Sequence, residues 1–347
     1  MNISFWLTST TRVMNENNWD KAPMGGAEIS AVHLGEELLK SGHCVNYFLQ
    51  RAEPFDRENL HVYRHDQANK VQQDYFICVR PHPVLGASFG DVKKILWSGD
   101  AFDQASNDIF YNKSLADSMD GYVFKSNWQR EKILEKYFTI DKEKTNVIYN
   151  GFKKEWFSLN GVIANPKRFI HTSTWYRGVA NFIDIWPMIL DKIPDAEIHI
   201  FSKTSLYSEY SNNKGWFEIA EELVKLPGTI LREPIPQEMI AQEMKKAWLM
   251  LYPNTGFVES SCGSALQSIA SGTPVVATNR AGLVETIGKA GILVDSNEEQ
   301  WKERFAKEAV EMDSQKRKQL ADYGSQMVAS QTWADQARKW EDYLKSL

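Results

Sequence analysis

The chain has 347 residues, of which 43% are hydrophobic and 24% charged, with a formal net charge of −5. That length exceeds one ordinary core and predicts two domains. No long Lys/Arg cluster occurs, which argues against nucleic acid as the main partner, and no apolar run approaches the ~20 residues of a membrane helix, which leaves room only for peripheral membrane contact. Met1–Leu7 is too short and too uncharged for a signal peptide and reads as a strand. Cys44, Cys78 and Cys262 show no metal-ligand spacing and fit a reducing compartment, so a cytoplasmic location is expected. The 12 Trp suit sugar stacking, although most Trp in any protein serve packing.

Strands and helices alternate. Ile3–Leu7 predicts a strand, and Ala27–Lys40, apolar at Ile29, Val32, Leu34, Leu38 and Leu39, predicts a helix closed by Gly42. Val45–Leu49, Tyr75–Val79, Ile95–Trp97 and Tyr122–Phe124 read as strands. Trp128–Tyr137 reads as a helix capped by Ser126-Asn127. Residues 150–166 form the expected hinge, and the alternation then restarts. Phe169–Thr172, Ala196–Phe201, Thr229–Leu231, Leu249–Tyr252, Thr273–Ala277 and Gly291–Val294 are expected strands. Gly178–Leu190, Trp216–Val224 and Gln237–Ala247 are expected helices. Charged helices follow to the end. The pattern predicts an α/β protein of two Rossmann-like domains with parallel sheets facing a cleft, over residues 1–160 and 161–325, and a last helix, 326–347, crossing back to the first domain.

The richest stretch runs from Tyr252 to Glu285. After a buried strand comes a Pro- and Gly-containing loop, then Glu259 before a small-residue helix expected to start at Ser260–Ala265, then the next strand. Free N–H groups at a helix start favour anions, so this junction suits a phosphorylated ligand. The segment resembles the donor-binding signature of retaining GT-B glycosyltransferases of family 4. That signature has two Glu separated by seven residues and then a Gly-Xaa-Pro-Val-Val strand. Glu259 matches the first Glu and Gly272-Thr273-Pro274-Val275-Val276 matches the strand, but position 267 is Gln.

The resemblance implies a GT-B fold and a residue-by-residue site. Glu259 would contact the transferred sugar; a helix-capping Glu is the plainer alternative. Ser261, Cys262, Gly263 and Ser264 would offer N–H groups to the distal phosphate or sugar. Gln267 would face the ribose where the family has Glu, keeping one acceptor oxygen but no charge. Gly25-Gly26-Ala27-Glu28 matches the family's first loop, where Gly25 and Gly26 let the backbone approach the donor closely. Thr172–Gly178 resembles the post-strand loop ending in a cation-Gly pair, which makes Arg177 the diphosphate ligand. A second family cation falls on Thr172, with Lys203 as a substitute candidate. In the first domain the family's strand-end His is missing. Asp100 is there the polar residue placed to orient an acceptor hydroxyl or take its proton, with His82 a lesser rival.

These features imply a retaining, metal-independent transferase. It would move sugar from a nucleotide-diphosphate donor to a saccharide or lipid-linked acceptor, as in polysaccharide biosynthesis, with no cofactor beyond the donor. A non-catalytic glycan- or nucleotide-binding protein of the same fold is the alternative, favoured by Gln267, Thr172 and the missing His. A dinucleotide oxidoreductase is disfavoured because no Gly-Xaa-Gly-Xaa-Xaa-Gly follows a strand.

Overall fold

The computed structural model describes residues 1–8, 13–19, 25–157, 161–202 and 214–347. The chain divides into two compact units. Met1–Gly151 with Gln331–Leu347 form unit 1, and Phe152–Ser330 form unit 2.

Unit 1 runs β1 (Asn2–Leu7), α1 (Gly26–Lys40), β2 (Cys44–Leu49), β3 (Phe55–Arg57), β4 (Leu60–Arg64), β5 (Tyr75–Val79), β6 (Lys93–Ser98), α2 (Lys113–Asp117), β7 (Gly121–Phe124), α3 (Asn127–Lys136) and β8 (Thr145–Val147). Its sheet has the order β3-β4-β2-β1-β5-β6-β7-β8, parallel except where β3 pairs with β4. Alternating side chains feed two cores, as the pleat requires. Phe5, Tyr47, Ile77, Ile95, Trp97 and Val123 pack under α1 on one face. Trp6, Phe48, Phe76, Leu96, Tyr122 and Phe124 pack on the other, with Ile133 of α3.

Unit 2 runs α4 (Lys154–Phe157), β9 (Asn165–His171), α5 (Phe182–Lys192), β10 (Glu197–Ile200), α6 (Lys214–Leu223), β11 (Thr229–Leu231), α7 (Gln237–Lys246), β12 (Ala247–Tyr252), α8 (Gly263–Ala270), β13 (Val275–Thr278), α9 (Leu283–Ile287), β14 (Gly291–Val294), α10 (Trp301–Val310) and α11 (Ser314–Met327). Its all-parallel sheet has the order β11-β10-β9-β12-β13-β14. The connection reverses direction between β9 and β12, the switch point where open α/β sheets bind ligands. In unit 1 the corresponding reversal lies between β1 and β5. Finally α12 (Trp333–Ser346) returns to unit 1. A reciprocal Thr332–Asp335 capping box starts it, and Trp333, Ala337, Trp340 and Leu344 are buried against the α1 face.

Beyond shifted ends and the short elements α2, β8 and α9, which were not expected, three departures from the sequence pattern stand out. The hairpin β3–β4 was not expected: β3 has only three residues, and the alternation of β4, with Leu60 and Val62 buried, spans only five. The helix expected from Gly178 becomes a short 3-10 turn at Val179–Asn181, and α5 begins only at Phe182. Gly178 itself sits at φ +96, a left-handed conformation that a helix cannot include. The helix expected from Ser260 starts at Gly263, because the Glu259 carbonyl accepts from Gly282 N–H instead of opening a helix.

Candidate functional site

In unit 2 the switch point brings together two loops. The loop after β9 carries Ser173 to Gly178, and the loop after β12 carries Pro253 to Cys262. They touch closely at Gly178, where a Cβ would lie 2.2 Å from the Pro253 carbonyl oxygen. Asn181 ties them further, donating to the Pro253 carbonyl at 2.7 Å. Asn254 shapes the second loop by bonding both the N–H and the carbonyl of Phe257. Behind Glu259, Gly282 donates to its carbonyl at 2.8 Å, and a Cβ on Gly282 would meet the Ser260 oxygen at 2.2 Å. The backbone of Glu259 is therefore fixed from behind.

This scaffold makes two residues 82 positions apart into an ion pair. Arg177 Nη1 donates to both carboxylate oxygens of Glu259, at 2.9 and 3.1 Å. The Glu259 side chain is 3% exposed and that of Arg177 is 26% exposed. Tyr252 adds a hydroxyl donated to Glu259 Oε1 at 2.5 Å, and it also bonds Ser173 at 3.1 Å. The guanidinium lies 4.4 Å from the Phe257 ring centroid and 5.8 Å from that of Tyr176. Burial works against the charge of Arg177, but the Glu259 carboxylate outweighs it and holds the guanidinium firmly protonated. The partners leave Glu259 an ion-pair anchor; it is not a helix cap, since α8 begins four residues later.

His171, at the end of β9, stacks on Tyr252 with ring centroids 5.3 Å apart. Its Nδ1 donates to the Leu251 carbonyl at 2.9 Å, and its Nε2 is buried without a partner. Burial drives its pKa down to about 4, so the ring is neutral. Burial likewise pushes the Cys262 thiol up to about 12, which excludes a thiolate nucleophile at neutral pH.

The expected donor-binding residues fall into two groups. Gly263 and Ser264 open α8, and a Cβ on Gly263 would meet nothing within 4 Å, so this helix start is open to a ligand. The Ser264 hydroxyl is donated to the Thr172 carbonyl at 2.6 Å. Ser261 and Cys262 precede the helix, and the Cys262 N–H is donated to Thr286 Oγ1 at 3.2 Å, so a ligand would have to share it. Gln267, one turn into α8, donates to Gln237 Oε1 at 3.3 Å and is half-buried. Lys203 lies outside the described residues.

In unit 1 Gly25 precedes α1 and Gly26 opens it, with open space where a Cβ would stand on Gly26. Asp100, buried just past β6, accepts from Ser106 at 2.9 Å and lies 3.8 Å from Arg80. Gln129 of α3 holds the Asp100 carbonyl at 2.8 Å. His82 caps a 3-10 turn, accepting from Val84 N–H at 3.1 Å. Sequence reasoning overlooked Tyr252, His171, Arg80 and Lys125. The signal for three of them was present: a polar residue at the end of an apolar strand run, as in Phe169-Ile170-His171, Ile77-Cys78-Val79-Arg80 and Tyr122-Val123-Phe124-Lys125.

Comparison with known proteins fits this geometry. Residues 166–312, which hold the Arg177–Glu259 pair, match the family described as Glycosyl transferases group 1. A D-inositol 3-phosphate glycosyltransferase from Corynebacterium urealyticum is 32% identical over 133 residues, which is 38% of this chain and 30% of the length of that relative. Among solved structures, Anabaena Alr3699/HepE in complex with UDP-glucose superposes with a TM-score of 0.74 at 15% identity, over 100% of both chains. Sucrose-phosphate synthase from Thermosynechococcus elongatus gives a TM-score of 0.75 at 14% identity, over 99% of this chain and 98% of the other. The chain thus has the GT-B fold, and most of its second unit matches the family described as Glycosyl transferases group 1.

Proposed function

We propose that the protein transfers a sugar from a nucleotide-diphosphate donor to a hydroxyl acceptor, with retention of configuration. The observation that carries the reading is the Arg177–Glu259 pair at the β9/β12 switch point, beside the open start of α8. The HepE neighbour is described in complex with UDP-glucose, which supports a nucleotide-sugar as donor and makes UDP-glucose the first donor to test. Arg177 and the N–H groups of Gly263 and Ser264 would meet the leaving diphosphate as its charge develops. Glu259 would then turn from Arg177 toward the transferred sugar. Gln267 would take the ribose, and Gly25 and Gly26 would let the backbone come close to the donor. Asp100 in unit 1 is assigned to the acceptor hydroxyl.

The cation and helix start supply the charge that a divalent metal supplies elsewhere, so transfer is expected to proceed without one. A saccharide or lipid-linked acceptor and a cytoplasmic, membrane-peripheral site of action complete the proposal. Among the described residues no helix is long and apolar enough to cross a membrane. The test is donor turnover after exhaustive chelation, with NMR of the product anomer. An inverted product would refute retention, and activity lost to EDTA and restored by magnesium would refute metal independence. A second reading, a non-catalytic nucleotide-binding protein, is favoured by Gln267 standing where the family has Glu. It predicts UDP binding with no donor hydrolysis and no transfer.

A further inference from the structure

The carboxyl ends of β1, β5, β6 and β7 are neighbours on one edge of the unit 1 sheet, and all four strands are parallel. Four charged residues follow them: Glu28 in the first turn of α1, Arg80 after β5, Asp100 after β6 and Lys125 after β7. Lys125 differs from the rest. It is only 4% exposed. Its stem runs past Gly99, whose Cβ would lie 3.3 Å from Lys125 Cδ, and its amine sits 4.9 Å from the Trp97 ring centroid. Among the described residues the amine makes no hydrogen bond and no ion pair; the backbone N–H of Lys125 alone is bonded, to Gln129. Asp100 is engaged by Ser106 and Arg80.

An ammonium so largely covered, with no hydrogen bond or ion pair, loses most of its hydration, which only the face of the Trp97 ring offsets. Burial, then Arg80, bring the Lys125 pKa down to about 8, against the opposing pull of Glu28 and Asp100, so the amine is still charged at neutral pH. Arg80 adds a second cation nearer the surface, its side chain 35% exposed. Its backbone is held at φ +84, a strained conformation for a side-chain-bearing residue and one that collects at ligand sites. A neutral hydroxyl would give the amine a hydrogen bond; an anionic group would also give it the directly bonded counterion that the more distant Glu28 and Asp100 do not.

We propose that Lys125, with Arg80 at the rim, forms an anion-recognition subsite that selects a sugar acceptor carrying a carboxylate or phosphate group. This rests on the glycosyltransferase reading above and gives its acceptor a chemical class.

The experiment is a ligand-observed NMR titration of the full chain with glucose, glucuronate and glucose 6-phosphate, with and without UDP. Wild type is expected to bind at least one anionic probe tenfold more tightly than glucose, and the two anions distinguish a carboxylate from a phosphate reader. Lys125→Met should reduce that probe to the glucose level while unit 2 still binds UDP. The affinity of the preferred anion should also fall as pH rises from 7 to 10, when the amine loses its proton, while glucose affinity stays flat. That arm uses wild type alone and decides the matter if Lys125→Met does not fold. Equal affinity for all three probes, an anion preference that survives Lys125→Met, or a pH-independent affinity for the preferred anion would overturn the subsite. If the anion preference stands and UDP does not bind, the nucleotide-sugar reading fails and the subsite remains. If UDP binds and no anion is preferred, the subsite fails and the nucleotide-sugar reading remains.

Discussion

The two units are built alike and treat their charges oppositely. Each has a parallel sheet with a switch point, and each gathers polar residues at the carboxyl ends of its strands. In unit 2 opposite charges are joined directly: Arg177 grips Glu259 through Nη1 while its Nε stays buried without a hydrogen bond, Tyr252 supports the carboxylate, and Phe257 covers the guanidinium. In unit 1 Arg80 pairs with Asp100, but the largely covered amine of Lys125 has, among the described residues, only the face of the Trp97 ring and no hydrogen bond or ion pair. A self-paired site must open a bond to take its ligand, so its affinity is reduced by the cost of that opening. A site with an unpaired charge gains from the first suitable counterion. Unit 2 is therefore suited to a ligand with charge enough to compete for Arg177, such as a diphosphate.

The comparison breaks most readily at Glu259. Glu259→Gln keeps the size and the place for the Tyr252 hydroxyl but removes the charge. Turnover is expected to fall by two orders of magnitude or more, about 3 kcal/mol, with UDP still bound. Turnover within about threefold of wild type would leave Glu259 as nothing more than a structural partner of Arg177. The reciprocal change, Arg177→Ala, strands a buried carboxylate. Unit 2 should lose about 3 kcal/mol of stability in urea, and UDP affinity should drop at least tenfold by calorimetry. Unchanged UDP affinity would remove Arg177 from the donor site.

A pH experiment sharpens the contrast through His171. Its pKa is about 4 in the folded chain against 6.5 for an ordinary His. The unfolded chain binds the proton first as pH falls, so this contribution is complete above about 6.5 and is lost between there and about 4. The loss is on the order of 3 kcal/mol. Amide exchange should show β9 and β12 of unit 2 losing protection between pH 7 and pH 4.5, and His171→Gln should blunt that loss. An identical pH response in the variant would assign the effect to other groups.

The smallest effect expected is at Gln267. Gln267→Glu introduces a carboxylate that can accept from both ribose hydroxyls, and Gln237 can rotate its amide to donate to the new oxygen. UDP binding should tighten about fivefold, roughly 1 kcal/mol. Equal or weaker binding would mean that Gln267 serves Gln237 and not a nucleotide.

The parallel strands were legible because strands buried on both faces are near-continuous apolar runs, and Tyr75–Val79, Thr229–Leu231 and Gly291–Val294 match to the residue. Glycines and caps marked the ends: Gly42 closes α1 at φ +83, and Ser126 caps α3 by accepting from Gln129. The hairpin β3–β4 was not legible, since three residues of β3 are too few to show a period and the alternation of β4 spans only five. Of the site, Glu259, Arg177 and the presence of a helix after Glu259 were visible as a family signature in the second half of the chain, but that helix starts at Gly263 and not at the expected Ser260. The pairing of Arg177 with Glu259 was not visible, because contacts across 82 residues leave no local pattern. Nor was the isolation of Lys125, because nothing in a sequence distinguishes a solvated strand-end Lys from a buried one.

The return of α12 has a consequence for the order of events during synthesis. Unit 2 is an insertion: its residues, Phe152–Ser330, emerge from the ribosome as one continuous stretch and contain its whole sheet. Unit 1 is made first but lacks Trp333, Trp340 and Leu344, which fill one face of its core, until residues 331–347 appear. The unit translated first is thus the one completed last, and it waits with an apolar groove along α1 while 179 residues of unit 2 are added. That interval is when a chaperone, or another nascent copy, has its best chance to occupy the groove.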